Sequence, residues 1–138
     1  MIVVNVYLLK NGSTYLSRRS ATNKTFPNRL QNAGGKVDAG ETLVKAIARE
    51  THEETDLTIA EHRFEYLGQV TGLAEDGSNY PVHSYFVELA AHEVPTNTEP
   101  TKQGDWELTP LRKLNSLRSE MVPSLPLTLD RVTRLVNA

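Results

Sequence analysis

Residues 34–57 read GGKVDAGETLVKAIARETHEETDL, and the order of charges in this stretch decides what the rest of the chain is built around. Taken as a helix, Glu50, Glu53 and Glu54 stand at i, i+3 and i+4, so three carboxylates share one side of about one turn. Like charges at that spacing weaken an isolated helix by about a few tenths of a kcal/mol per pair. A cation is expected among them, and a ligand set made only of oxygen favours a hard ion, Mg²⁺ with Mn²⁺ as a substitute. On a neighbouring arc of roughly 100°, Val44, Ile47, Ala48, Thr51 and Thr55 form a stripe suited to face a core. Arg49 lies four residues before Glu53, where its planar fork can orient a carboxylate and temper the repulsion. Glu41, near the helix start, supports the ligands or simply favours the helix dipole. His52 is turned about 100° from Glu53 and is expected to face solvent.

The spacing of these residues resembles the box of the Nudix hydrolases: Gly, five residues, Glu, seven residues, Arg-Glu, an aliphatic residue, any residue, Glu-Glu, any residue, Gly and an aliphatic residue. Gly35, Glu41, Arg49, Glu50, Glu53, Glu54 and Leu57 fall in register. Thr51 stands where the pattern has an aliphatic residue and Asp56 where it has glycine. A threonine in the core stripe can return its hydroxyl to the carbonyl of Ile47. Aspartate is among the few non-glycine residues that enter the left-handed region at a helix end. Both departures are expected to reduce stability modestly, and neither removes a carboxylate.

The chain has 138 residues, 38% of them hydrophobic, which suits one buried core and a single domain over 1–138. A net charge of −2 gives no general attraction to polymeric nucleic acid or to an anionic membrane, leaving small phosphorylated ligands as partners. The absence of cysteine excludes disulfides, thiolate zinc sites and cysteine nucleophiles, and is compatible with the cytoplasm. The apolar start, Ile2 to Leu9, holds Asn5 and lacks a basic leader, so it reads as a strand and not as a signal peptide or membrane span.

Around the box, the pattern predicts a hairpin from Met1–Leu9 and Ser13–Arg18 about the Lys10-Asn11-Gly12 turn. A polar loop over Ser20–Gln31 delivers the chain to Asn32-Ala33-Gly34-Gly35, where glycine permits close approach. The helix spans about Thr42–Thr55. Strands are expected at Phe64–Thr71 and Val82–Leu89, then a loop over His92–Gly104 and a short strand around Trp106. Leu125, Leu129, Val132 and Val136 recur at helical spacing, with Ser124 as N-cap and Pro126 in the first turn. Strands interleaved with two helices indicate an α/β sandwich with a mixed sheet. The resemblance implies the Nudix α/β/α sandwich, with the box as a loop–helix–loop on the sheet.

It also implies roles. Glu50, Glu53 and Glu54 would be metal ligands, joined by the carbonyl of Gly34, with Glu53 and Arg49 in the catalytic group. Arg19, or its neighbour Arg18, would reach the substrate phosphates from a strand end, where alternation lets only one point inward. Glu99 would add a catalytic carboxylate from the long loop, with Glu93 as its rival. Ser124 stands where oxidised-guanine enzymes of the MutT type carry a purine-reading asparagine, so tight selection of oxidised guanine is not expected. Tyr7, Phe26, Tyr80, Tyr85 and Trp106 are candidates for stacking on a base. The marks of the NADH, ADP-ribose and coenzyme A branches are missing. The expected activity is therefore Mg²⁺-dependent cleavage of nucleoside or deoxynucleoside triphosphates to monophosphate and pyrophosphate. Nucleoside diphosphate sugars and dinucleotide polyphosphates are alternative substrates. A nucleotide-sensing module without catalysis is the alternative of another class, and it fits less well with an intact set of acids.

Overall fold

Alternation along the first strand organises the molecule. In β1 (Val3–Lys10), Val4, Val6 and Leu8 point to one side and Tyr7 and Leu9 to the other, and all five are buried. A strand buried on both faces needs a cover on each, and the computed structural model, which describes residues 1–136 apart from the side chain of Val136, supplies both. Helix α1 (Leu43–Thr55) packs Ala46 and Ile47 on the Val4, Val6, Leu8 side with Phe64, Tyr85, Val87 and Trp106. On the Tyr7, Leu9 side lie helix α2 (Ser124–Val136) through Leu125, Leu129 and Val132, and a run of 3-10 turns, Leu111–Glu120, through Leu111 and Leu114. The result is an α/β/α sandwich, as expected. Among the described residues, no helix is long and apolar enough to cross a membrane.

Among the described residues, the sheet has seven strands. After β1 come β2 (Ser13–Arg18), β3 (Leu30–Gln31), β4 (Ala33–Lys36), β5 (Glu65–Leu73), β6 (Asn79–Glu88) and β7 (Glu107–Pro110). One edge of β1 is shared antiparallel by β4, over Val3–Val6, and by β2 at Leu9 and Lys10; the other edge takes β6 in parallel. Strand β5 pairs antiparallel with β6, and β7 with β2. Both parallel and antiparallel ladders are present, so the sheet is mixed.

Asn11 (φ 49°) and Gly12 (φ 77°) turn β1 into β2, the pair of left-handed residues that a two-residue hairpin requires. The end of the predicted polar loop, Leu30–Gln31, is a short strand beside Ser17 and Arg18. The glycine pair lies in a strand and not in a turn, because β4 is pressed against β1: a Cβ on Gly34 would collide with the carbonyl oxygen of Val4. The predicted strand near Trp106 begins one residue later, at Glu107, and Trp106 itself is buried. Ser124 is the first residue of α2 and not its cap, since Leu125 N–H already bonds the carbonyl of Val122. The side chain of Val136, fourth in the predicted stripe, lies outside the described residues.

Both departures from the box pattern take the predicted form. Thr51 is fully buried and its hydroxyl donates to the Ile47 carbonyl at 2.6 Å. Asp56 sits at φ 62°, ψ 16°, and its N–H closes the helix on the His52 carbonyl. Thr42 caps the other end through Lys45 N–H.

Candidate functional site

Helix α1 presents its carboxylates to a cleft of about 650 Å³, whose walls come from the loop after β2, from β4 and from the loop before Trp106. The last carbonyls of a helix lack partners within it. Here they hold the long loop in place: Thr98 Oγ1 donates to the Glu53 carbonyl, Trp106 Nε1 to that of Glu54, and Thr96 N–H to that of Thr55. This stitching carries Glu99 into the cleft, with its carboxylate on Lys102 at 3.0 Å. Glu93 does not line it. Arg63 grips Glu93 with both arms, at 2.7 and 2.8 Å, and the side chain is buried as a structural pair.

Arg49 is the hub of the acidic face. Its Nε and Nη2 bind the two oxygens of Glu41 at 2.8 and 3.0 Å, and its Nη1 is shared by Glu50 at 2.9 Å and Glu53 at 3.3 Å. The two-nitrogen grip thus falls on Glu41, eight residues back, while Glu53, four residues on, takes a longer contact from one nitrogen; the supporting place of Glu41 is held by this arginine. Hydrogen bonds from Arg49 hold Glu41 well below the usual carboxylate range, at about 2.

Glu50 and Glu54 are displaced the opposite way. Burial raises Glu50 despite its bond to Arg49. Glu54 is pushed up to about 8, by burial first and then by Glu50, Glu99 and Glu53, against the opposing 2.7 Å bond it accepts from Gly34 N–H. Gly35 makes room for this crowd, because a Cβ there would stand 2.5 Å from the Glu50 carboxyl carbon. An all-oxygen donor set with more negative charge than the protein neutralises fits a hard divalent cation. Among the described residues, no three acidic or imidazole groups converge on one point, since Arg49 occupies the space shared by Glu50 and Glu53. The Glu53 side chain is 54% exposed and has room to turn from Arg49 toward an ion. Gly34 contributes an N–H to this cluster, to Glu54.

Of the two arginines at the end of β2, Arg19 lines the cleft and Arg18 does not. Arg18 lies at the surface on Glu120 at 2.8 Å and on the Asn28 carbonyl. Arg19 is fixed from four directions, by Thr25 O and Oγ1, Asn23 Oδ1 and Gln31 Oε1. Burial lowers its pKa, and the nearby charges of Glu54 and Glu75 oppose that shift.

A second, more apolar cavity of about 370 Å³ opens from the first, sharing Arg19, Gln31, Gly34, Gly35 and Lys36 with it. Ser124, Phe26 and Tyr80 are on its wall. Tyr7, Tyr85 and Trp106 are buried core residues, so the five candidate stacking groups reduce to two. His52 is exposed, near Thr58 Oγ1.

Residues 1–131 match the NUDIX domain family. The chain belongs to the Nudix family. A Nudix hydrolase of Deinococcus radiodurans is 41% identical over 59 residues, which are 41% of this chain and 34% of the relative. The 8-oxo-dGTP diphosphatase of Escherichia coli is 35% identical over 57 residues, 41% of this chain and 43% of that one. The chain thus spans less than half the length of these curated Nudix relatives. A MutT Nudix hydrolase from Burkholderia pseudomallei shares the fold with a TM-score of 0.81 at 21% identity, covering 96% of this chain and 97% of that one.

Proposed function

We propose that this Nudix chain hydrolyses a phosphoanhydride bond of nucleoside or deoxynucleoside triphosphates in the presence of a divalent cation, releasing monophosphate and pyrophosphate. The observation that carries the reading is the charge imbalance at α1: Glu50 and Glu53 share one arginine with Glu41 of the preceding turn, and Glu50, Glu53 and Glu54 line a cleft that also holds Arg19 and Lys102. Glu50, Glu53 and Glu54 would hold Mg²⁺, which supplies neutralisation of phosphate charge and acidification of water.

The protein groups do the rest. Arg19 and Lys102 attract and align the phosphate chain. Arg49 keeps Glu50 and Glu53 apart yet oriented, so that ordering them does not wait for substrate. Glu99, on the loop stitched to the end of α1, faces the same space and is the candidate to receive a proton from attacking water. The adjoining cavity, with Phe26, Tyr80 and Ser124 on its wall, is the place for the base. The family's purine-reading asparagine is absent, which favours discrimination between oxidised and ordinary guanine within roughly tenfold, about 1.4 kcal/mol.

The test is a panel of nucleoside triphosphates, nucleoside diphosphate sugars and dinucleotide polyphosphates with Mg²⁺, run in ¹⁸O-water with product identification. Label in the monophosphate or the pyrophosphate from a triphosphate is the expected result. Turnover of a nucleotide sugar and of no triphosphate moves the chain to that substrate class, and binding without turnover of anything makes it a sensor.

A further inference from the structure

Three side chains form a relay across the cleft wall whose polarity is forced. Arg19 Nη1 donates to Gln31 Oε1 at 2.8 Å, and Gln31 Nε2 donates to Gln103 Oε1 at 2.7 Å. Arginine is a donor only, so Gln31 must turn its oxygen toward Arg19 and its nitrogen toward Gln103. Gln103 must then answer with its oxygen. Its Nε2 is left over: it is shielded from solvent and has no partner among the described residues. The residue is only 4% exposed and lines the cleft beside Arg19, Glu54, Glu99 and Lys102. Its backbone is fixed as well, by an isolated bridge to Arg19 and by the Asn97 side chain on its carbonyl at 3.0 Å.

A buried donor without an acceptor is unfavourable, and the site gives this amide no freedom to turn around. The geometry points to Gln103 as a substrate ligand that donates through Nε2 to a non-bridging oxygen of the phosphate chain. Arg19 then has two effects on the same ligand: its charge attracts the phosphates, and through Gln31 it fixes the Gln103 amide with its oxygen on Gln31 and its nitrogen left for the ligand. An uncharged donor suits this wall, because it can face the phosphates without pairing with Glu54 or Glu99, which line the same cleft. The inference rests on the reading of the cleft as a polyphosphate site and adds a ligand to it.

The experiment is calorimetric titration of inorganic tripolyphosphate with Mg²⁺ into the full chain, with melting temperatures and triphosphate kinetics measured alongside. Gln103→Met keeps the length and removes both N–H donors. Binding should weaken about tenfold or more, as expected for a hydrogen bond to a charged group, and KM should rise by a similar factor with kcat within about threefold. Gln31→Met breaks the same Gln31–Gln103 bond but leaves the donors of Gln103 in place, so its loss should be clearly smaller. Equal losses in the two variants, or wild-type binding by Gln103→Met, overturn the assignment. Should Gln103→Met not fold, Gln103→Glu preserves the acceptor for Gln31. It too should bind tripolyphosphate more weakly, and binding equal to wild type overturns the proposal. If tripolyphosphate binding depends on Gln103 but no triphosphate is cleaved, the hydrolase reading fails and this inference stands. If the wild-type chain does not bind tripolyphosphate, this inference fails.

Discussion

Arg63 and Arg49 each lay two nitrogens on the two oxygens of a glutamate, Glu93 in one case and Glu41 in the other. Both pairs are bidentate, through Nη1 and Nη2 at Arg63 and through Nε and Nη2 at Arg49, and their surroundings differ. At Arg63 one cation meets one anion. Glu93 also accepts Ala90 N–H, and its pKa is lowered to about 2, chiefly by the bonds from Arg63. At Arg49 one cation is divided among Glu41, Glu50 and Glu53, with Asp38 at 3.5 Å and Glu54 behind with its pKa raised. A balanced pair stabilises the native chain by itself. An overdrawn one leaves charge for something outside the chain to neutralise, and that separates a structural carboxylate from a candidate ligand better than burial does.

The largest effect that can break this contrast is catalytic. Glu53→Gln should leave the fold intact and lower kcat by on the order of 10³ in the hydrolysis assay, since metal placement supplies most of the electrostatic stabilisation. Near-normal turnover with unchanged Mg²⁺ dependence would show that the excess charge is idle.

The next effect is on stability. Glu93→Gln, at the balanced centre, should destabilise the chain by about 2–3 kcal/mol in urea titration while leaving turnover unchanged. Because the folded pKa is depressed, this contribution is present above the ordinary carboxylate value of 4.5 and fades as pH falls from there toward about 2. The wild type and the variant should therefore converge in acid, and a constant gap over that range would remove the ion pair as its cause.

At the overdrawn centre the sign reverses. The pKa of Glu54 is raised from 4.5 to about 8, so its ionised form opposes folding increasingly as pH rises between those values. In metal-free buffer above pH 8, Glu54→Gln should stabilise the chain by about 1–2 kcal/mol, and adding Mg²⁺ should raise the melting temperature of the wild type more than that of the variant. Destabilisation in metal-free buffer would equate the two centres. The smallest effect sharpens the local picture only: Asp56→Gly should add about 0.5 kcal/mol by relieving the left-handed residue at the end of α1.

The two centres also mark how far the sequence was readable. Within α1, 3.6 residues per turn dictates which side chains are neighbours, so the acidic face and the hydroxyl return of Thr51 were legible from spacing, and the left-handed Asp56 from the glycine that the resembling pattern has at its place. Glu41 reaches Arg49 only because the turn before the helix folds back, and Asp38 N–H donates to Glu41 at 3.0 Å to hold that turn. Glu93 and Glu99 sit on one loop, and only its stitching to the end of α1 separates structural acid from cleft acid. Tyr7, Tyr85 and Trp106 look in sequence like Phe26 and Tyr80; which aromatic is covered depends on sheet pairing that no local pattern specifies. The Arg19–Gln31–Gln103 relay joins three separate segments and left no mark in any one of them.

Strand β1 has a consequence in time. Its hairpin with β2 closes through two residues and can form within microseconds. Its parallel partner β6 lies far along the chain: Asn5 meets Ser84, 79 positions away, through a bond of 2.6 Å between their side chains. Closing so long a loop loses chain entropy before any contact is gained, and topologies of this kind refold slowly. Strand β4, which carries Gly34 and Gly35 to the carboxylates, is ordered on the opposite edge of that same β1. The cleft is thus expected to assemble late in folding, when the long-range ladder locks, and ligand-binding competence should be recovered with the slowest refolding phase.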